Sequence, residues 1–165
     1  MARVEIRDLH TDDLVAALEL NNAAAPALNE LDLAELTRLA GLAAHGLAAE
    51  IPGAGGLVGF CLAFEPGADY ESLNYTWFSR HYESFTYLDR IVVDPTLRSR
   101  GLGAALYAEL EVRIDGRTPW LFCEVNVRPL NAGSLRFHHR IGFAEVGRQD
   151  TDAGRKTVSL LAKAL

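Results

Sequence analysis

The segment Arg98–Leu106, RSRGLGAAL, constrains the fold more than any other part of the chain, because a strand pattern changes there into a helix pattern. It follows YLDRIVVDP, an apolar run closed by Asp-Pro. A helix start leaves backbone N–H groups without partners and carries the positive end of the helix dipole. Gly101 and Gly103 would open those groups to a large anion, and the flanking arginines suit phosphate oxygens. The segment predicts a strand–turn–helix unit that binds a pyrophosphate, with a tight turn bearing exposed arginines as the alternative.

Two familiar phosphate-binding loops fit this segment poorly. A P-loop needs Gly-Lys followed by Ser or Thr, which is absent here. A dinucleotide-binding loop needs Gly-x-Gly-x-x-Gly, and Leu106 occupies the third glycine position. Glu124 follows at about the spacing of the ribose-binding acid, but that motif usually opens its domain and this one lies past the middle of the chain. An NAD(P)-binding oxidoreductase is therefore a remote alternative.

Composition and charge limit the classes of protein and partner. A chain of 165 residues with 49% hydrophobic and 23% charged residues suits a single domain, residues 1–165, with a substantial core. A net charge of −6 argues against nucleic acid as the main partner. No apolar run approaches the roughly 20 residues that cross a bilayer, and the N-terminus is unlike a signal peptide, so we expect a cytoplasmic protein without membrane contact. Cys61 and Cys123 lie in apolar runs without metal-ligand spacing, which predicts reduced core thiols and no metal.

Hydrophobic patterning predicts an α+β domain of the α/β three-layer type. The predicted strands are residues 4–8, 47–51, 57–64, 85–93, 121–125, 144–149 and 157–161, and the predicted helices are 11–21, 33–42, about 102–114 and 131–141. Residues 65–82 are expected to form a long loop rich in aromatic residues. Early helices followed by alternating strands and helices favour a mixed sheet.

RSRGLG fits the Arg/Gln-x-x-Gly-x-Gly/Ala signature of the GCN5-related N-acetyltransferase (GNAT) superfamily, and the chain resembles that family in further elements. NAGSLRFHHRIGF is similar to the family's Asn-x-x-Ser/Ala-x-x-hydrophobic-Tyr-x-x-x-Gly-Phe element, and LDRIVVDP resembles its central fourth strand. The similarity is strong over about residues 85–147, and YLDRIVV, CEVN and FHHRIGF resemble a branch of predicted bacterial acetyltransferases without an assigned substrate. The resemblance implies a GNAT-like mixed, mainly antiparallel sheet of about six to seven strands flanked by about four helices, with splayed central strands.

The resemblance also implies acetyl-coenzyme A (acetyl-CoA) as the acetyl donor. Main-chain N–H groups of the glycine segment would hold its pyrophosphate, and its pantetheine arm would pair with the fourth strand as an added strand. Asn131 would bond the arm, although Asn is also a favoured helix cap. An N–H of Val92 or Val93, where this fold commonly carries a bulge, would bind the oxyanion. The residues assigned to the coenzyme are Ile91, Val92, Val93, Arg98, Ser99, Arg100, Gly101, Leu102, Gly103, Ala104, Asn131, Ser134 and Phe137.

Two residues are candidates for the proton transfers of acyl transfer to an amine. Glu124, between apolar neighbours on the fifth strand, is the candidate base, and it resembles the glutamate that ribosomal-protein N-acetyltransferases use on that strand. An exposed acid or a structural ion pair is the alternative. His138 stands where most relatives have tyrosine and is the candidate acid for the departing thiolate, with a packing or adenosine contact as the alternative.

The acceptor would approach from the face opposite the coenzyme. Candidate contacts are Asn22 in the connection between the early helices, Tyr75 and Trp77 in the aromatic segment, and Asp89 beside the thioester strand. The aromatic residues also fit a satellite core or a dimer contact, and Asp89 also fits an ion pair with its neighbour. The sequence thus predicts an N-acetyltransferase for a small amine or a peptide N-terminus, with homodimers common among relatives. Because His138 replaces tyrosine, a coenzyme-binding sensor without transfer activity is the alternative.

Overall fold

One seven-stranded sheet organises the chain in the computed structural model, which describes residues 3–165; residues 1 and 2 of the predicted domain lie outside the described residues. The strands are β1 (Glu5–Asp8), β2 (His45–Glu50), β3 (Leu57–Phe64), β4 (Thr86–Val93), β5 (Trp120–Arg128), β6 (Ala144–Thr151) and β7 (Lys156–Ala164). Their spatial order is β1-β2-β3-β4-β5-β7-β6, and all neighbours are antiparallel except β4 and β5. The predicted mixed, mainly antiparallel sheet is confirmed.

Within residues 3–165, five α-helices cover the two faces of the sheet. They are α1 (Leu14–Ala23), α2 (Leu33–Leu42), α3 (Leu73–His81), α4 (Leu102–Ile114) and α5 (Ala132–Arg140). The prediction of a loop over residues 65–82 is wrong, because α3 lies within it. Ser72 caps this helix by accepting from the Tyr75 N–H, and basic residues end it, as the helix dipole favours.

Each face of the sheet has its own apolar core. Helices α1, α2 and α3 cover what we call the α1–α3 face, where Phe78 stacks on Phe122 with ring centroids 4.3 Å apart. Helices α4 and α5 cover the opposite α4–α5 face, whose core includes both cysteines. Cys61 and Cys123 are buried and free, which confirms the predicted core thiols, and burial raises the pKa of Cys61 to about 12.

The central strands β4 and β5 separate after two residue pairs. Their parallel pairing joins Thr86 to Leu121 and Tyr87 to Phe122 and ends there, although both strands continue along their other neighbours. The predicted splay of the central strands is therefore confirmed.

The backbone of β4 beyond this point faces the gap at alternate residues. The N–H of Asp94 donates to a carbonyl of β3 at 2.8 Å. Since the hydrogen bonds of an antiparallel ladder alternate, Val92 also directs its N–H and C=O toward β3, whereas Ile91 and Val93 direct theirs into the gap. The gap thus has a free strand edge on one side.

One extra residue in β4 changes which face its side chains reach. The pairing with β3 steps from Leu62–Arg90 to Ala63–Leu88, so Asp89 is the unpaired residue of a β-bulge. The expectation of a bulge at Val92 or Val93 is wrong, since those residues pair regularly. Because of the bulge, Asp89 and Arg90 both lie on the α1–α3 face, where Arg90 bonds Asn21 of α1.

Candidate active site

A cavity of about 510 Å³ occupies the gap between β4 and β5 and is lined from both faces of the sheet. Its lining includes Tyr107, Asn131, Ser134 and His138 from the α4–α5 face, and Tyr70, Asn74, Asp89, Arg90 and Glu124 from the α1–α3 face. No backbone ladder closes the sheet here, because the two strands have stopped pairing. Two molecules that enter from opposite faces can therefore meet within the gap.

Glu124 projects from β5 toward the α1–α3 face, since its two chain neighbours belong to the opposite core. The Tyr87 hydroxyl donates to its carboxylate, 2.8 Å from Oε2 and 3.0 Å from Oε1. Burial, followed by the negative charge of Asp89, raises the pKa of Glu124 to about 8, while hydrogen bonds from Tyr87 and Asn74 act in the opposite direction. A carboxylate with a pKa near neutrality can take a proton at working pH.

Asp89 and Arg90 form a buried ion pair beside Glu124. The Arg90 Nε lies 2.7 Å from Asp89 Oδ2. The Arg90 side chain is only 8% exposed and the Asp89 side chain only 5%. The Tyr70 hydroxyl donates to Asp89 Oδ1 at 2.5 Å, and Arg90 Nη1 donates to Asn21 Oδ1 at 2.8 Å. Both oxygens of Asp89 are engaged and its charge is compensated. Asp89 thus has a cation as its partner, whereas the carboxylate of Glu124 accepts from the neutral Tyr87 hydroxyl.

Helix α4 starts without a side-chain cap. Gly101 is its N-cap residue and has a left-handed conformation with φ 80°, and Ser99 has φ 64°. The first N–H groups of a helix have no intrahelical acceptor, and within residues 3–165 no side chain caps those of α4. Arg98 and Arg100 are exposed beside them, and Arg98 also lines the cavity. This arrangement can bind an anion at the mouth of the cavity.

The two glycines of this segment serve different purposes. A Cβ on Gly101 would meet nothing within 4 Å, so its positive φ is the reason for glycine. A Cβ on Gly103 would lie 3.3 Å from Cζ of Phe137, whose ring packs on the first turn of α4. Of the residues assigned to the coenzyme, those in the cavity lining are Ile91, Val92, Val93, Arg98, Asn131 and Ser134. The others lie at or against the start of α4, namely Ser99, Arg100, Gly101, Leu102, Gly103, Ala104 and Phe137.

His138 is held by hydrogen bonds at both ring nitrogens. Nδ1 lies 2.7 Å from the Ser134 carbonyl, which can only accept, so Nδ1 carries a proton. Nε2 lies 2.7 Å from the Tyr107 hydroxyl, which donates to the neutral ring. Burial lowers the pKa of His138 and favours that neutral form. A neutral ring bonded in this way has no proton for the cavity, so the geometry opposes His138 as a direct acid and favours the packing alternative.

Three of the four predicted acceptor contacts are absent from the cavity lining. Asn22 bonds both backbone groups of a residue in the α1–α2 connection, at 2.9 and 3.0 Å. The Tyr75 hydroxyl donates to a backbone carbonyl at 2.6 Å. Trp77 stacks on His81 with ring centroids 4.0 Å apart. These side chains serve the fold, and Asp89 is the predicted acceptor residue that reaches the cavity.

Several residues of the site were not predicted from the sequence. Tyr87 lies two residues before Asp89, so strand alternation was a usable signal that both share a face. Asn74 lies on α3 and Tyr70 just before it, in the segment expected to be a loop. Tyr107 lies on α4 among apolar residues, and nothing in its local pattern sets it apart from the core.

The described residues contain no group of three or more His, Cys, Asp or Glu side chains placed to hold a metal ion. Within the same part of the chain, no helix has the length and apolar character needed to cross a membrane.

Comparison with known proteins gives a family match and several similar folds. Residues 5–143 match the model of the acetyltransferase (GNAT) family. No curated protein matches the chain by sequence. Similar solved structures include the ribosomal-protein-S18-alanine N-acetyltransferase of Escherichia coli (22% identity, TM-score 0.73, covering 98% of this chain and 94% of that one). Another is the ribosomal-protein-alanine N-acetyltransferase of Brucella melitensis (24% identity, TM-score 0.72, covering 98% of this chain and 99% of that one). A third is Ard1 of Thermoplasma volcanium (16% identity, TM-score 0.77, covering 98% of this chain and 97% of that one). At these identities the structural likeness shows the fold.

Proposed function

Because the chain belongs to the acetyltransferase (GNAT) family, we propose that it transfers the acetyl group of acetyl-CoA to a primary amine of a small molecule or of a peptide N-terminus, by direct attack in a ternary complex. One observation carries this proposal. Glu124, with its pKa raised to about 8, lies in a gap of the sheet that is lined from both faces. A base in that position can serve an amine that enters from the face opposite the coenzyme.

The residues on the α4–α5 side fit the coenzyme. The uncapped start of α4 and the arginines beside it would hold its diphosphate, and the free edge of β4, through Ile91 and the carbonyl of Val93, would pair with its pantetheine arm. Asn131 Oδ1 accepts the N–H of Ser134 at 3.2 Å, which leaves the amide nitrogen of Asn131 for the arm. The bound coenzyme supplies an acetyl thioester, which is open to attack by an uncharged amine.

On the α1–α3 side, Glu124 would take the proton of the entering amine, directly or through one water molecule. The N–H of Val93 faces the gap and would donate to the oxyanion, whereas that of Val92 is directed to β3. With His138 neutral and bonded at both nitrogens, the departing thiolate would take its proton from water. His138 would then support Tyr107 and α5 instead of acting as the acid.

The acceptor class rests on two supports. Two similar structures are named as N-acetyltransferases of ribosomal-protein alanine, which supports a peptide amine. Asp89 already pairs with Arg90 and accepts from Tyr70, so it is not free to bind a second charge of a polycationic acceptor. We also propose a cytoplasmic location and a homodimer, with no metal, nucleic acid or membrane as partner; sedimentation of the purified protein tests the homodimer.

A thiol-release assay with acetyl-CoA tests the proposal. The acceptor panel would contain small amines and short peptides with free N-termini, and coenzyme binding would be followed separately by calorimetry. Glu124→Gln should lower kcat by about 10²–10⁴-fold while coenzyme affinity stays unchanged. Glu19→Gln is the matched control, since Glu19 is exposed on α1. Tight coenzyme binding without thiol release for any acceptor would favour the sensor, and the absence of coenzyme binding would refute both readings.

A further inference from the structure

Residues 65–85 form a longer connection than the sheet requires. They join β3 and β4, which are antiparallel neighbours, and two residues suffice to link such strands. The connection instead includes α3 and packs on the α1–α3 face. It contributes Tyr70, Ser72, Leu73 and Asn74 to the cavity lining. Tyr70 donates to Asp89 at 2.5 Å, and Asn74 shares the cavity lining with Glu124, where its amide acts to lower the pKa of Glu124.

The amide of Asn74 is oriented by a neighbour on the edge strand. Gln149 of β6 donates from Nε2 to Asn74 Oδ1 at 3.0 Å. An amide whose oxygen already accepts has its N–H groups left for other partners. Asn74 is 9% exposed, and its amide nitrogen is left to donate within the cavity that Glu124 also lines. Gln149 thus leaves the amide nitrogen of Asn74 as a donor for the cavity that Asn74 shares with Glu124.

Tyr87 acts on the same carboxylate from the other strand. It forms the last β4–β5 pair, with Phe122, so its hydroxyl crosses to Glu124 where the gap is narrowest. Tyr87 is fully buried, and burial raises its pKa well above the ordinary value, so the phenol keeps its proton. The Tyr87 hydroxyl, through hydrogen bonds of 2.8 and 3.0 Å, and the Asn74 amide both lower the pKa of Glu124 and so favour its ionised form.

We infer that Tyr87 and Asn74, with Gln149 behind Asn74, are positioning residues that hold Glu124 as a proton acceptor in the gap. This inference rests on the proposed function, in which Glu124 is the base. As the amine nitrogen bonds the acetyl carbon, its proton passes to a carboxylate oxygen of Glu124 and then to water. The C–S bond breaks with its electron pair on sulfur, which takes a proton from water. The β3–β4 connection is then part of the proton-transfer apparatus as well as a wall of the cavity.

A double-mutant cycle on the whole protein tests the Asn74 arm. The variants are Asn74→Ala, Gln149→Leu and the two combined. The first readout is the ionisation of Glu124 itself, followed by the infrared carboxyl band that disappears in Glu124→Gln. The second readout is the pH dependence of kcat/KM. Thermal unfolding identifies any variant that fails to fold, and Asn74→Ser then replaces Asn74→Ala.

Asn74→Ala should raise the midpoint of the Glu124 titration by about one pH unit. At pH values below the midpoint, the ionised fraction of Glu124 would then be about tenfold smaller than in the wild type. Gln149→Leu should raise it by less and should add nothing in the Asn74→Ala background, because it acts through Asn74. An unchanged midpoint in Asn74→Ala overturns the inference, and additive shifts overturn the part assigned to Gln149. A shifted infrared midpoint with an unmoved pH profile would uphold the positioning network and refute Glu124 as the base.

Discussion

Replacement of Tyr87 by phenylalanine isolates the strongest hydrogen bond at Glu124. The substitution removes one oxygen and keeps a ring of nearly the same shape, whose centroid lies 5.7 Å from that of Phe78 and 5.7 Å from that of Tyr75. The hydroxyl contacts both oxygens of the carboxylate, and its side chain is fully buried. Loss of the hydroxyl therefore removes a donor to the carboxylate with little change in packing.

The expected size of the effect follows from the charge on the acceptor. A hydrogen bond to a charged group contributes about 1.5–3 kcal/mol, and 1.36 kcal/mol corresponds to about one pKa unit. Tyr87→Phe should therefore raise the pKa of Glu124 from about 8 by about 1–2 units. Because only the ionised form accepts a proton, kcat/KM at pH 7 should fall about 10- to 100-fold. At pH values above the new pKa, the variant should regain the activity of the wild type.

The assay is the pH dependence of kcat/KM by thiol release, measured alongside Tyr75→Phe. Tyr75 is a matched control, because its buried hydroxyl donates to a backbone carbonyl on the same face and does not contact Glu124. Tyr75→Phe should leave the acidic limb of the profile where it is. If Tyr87→Phe lowered kcat/KM equally at every pH and left the acidic limb of the profile in place, the reasoning would be refuted. Such a result would mean that the Tyr87 hydroxyl does not control the ionisation of Glu124.

Three further substitutions have definite expected outcomes. The urea midpoint of Glu124→Gln should rise relative to that of the wild type as the pH rises from 4.5 to about 8, because a folded-state pKa above the unfolded value makes the wild type lose stability across that window; a difference between the two midpoints that stays constant over this range would contradict this. Gly101→Val, at φ 80°, should weaken acetyl-CoA binding in calorimetry by about tenfold or more, whereas Gly116→Val, at φ 69° and outside the site, should lower only the thermal midpoint. Gly147→Ala places a Cβ 2.9 Å from Cζ2 of Trp77 and should cost about 1–3 kcal/mol of unfolding free energy, most of which Trp77→Leu should restore in the double variant.

The parts of the fold that follow from local pattern were predictable from the sequence. The strand before the glycines, the apolar face of α4 and the orientation of Glu124 all follow from periodicity within one element. Helix α3 was missed because aromatic and polar residues of middling helix propensity make up most of it, and Leu73, at its start, is 59% exposed. Its stability comes from packing on Phe122 and the sheet, which the local sequence does not reveal.

The site was less predictable, because its hydrogen bonds join elements far apart in the chain. Glu124 bonds Tyr87 across a gap that exists only once β4 and β5 stop pairing. The tautomer of His138 is fixed by Ser134 and Tyr107, so a histidine that suits acid catalysis by type is bonded as a neutral ring. Residue type suggested the chemistry, and tertiary contacts decided which groups can perform it.

The bulge at Asp89 determines which face of the sheet receives the charge of Arg90. In a regular strand, alternation would place Arg90 on the α4–α5 face, away from Asp89. Asp89 would then lie beside Glu124 without its cation, and the negative charge of Asp89 would raise the pKa of Glu124 without the opposing charge of Arg90. The extra residue returns Arg90 to the α1–α3 face, where it pairs with Asp89 at 2.7 Å. A single shift in backbone register thus keeps the Arg90 cation on the face that Asp89 shares with Glu124, where it also acts to lower the pKa of Glu124.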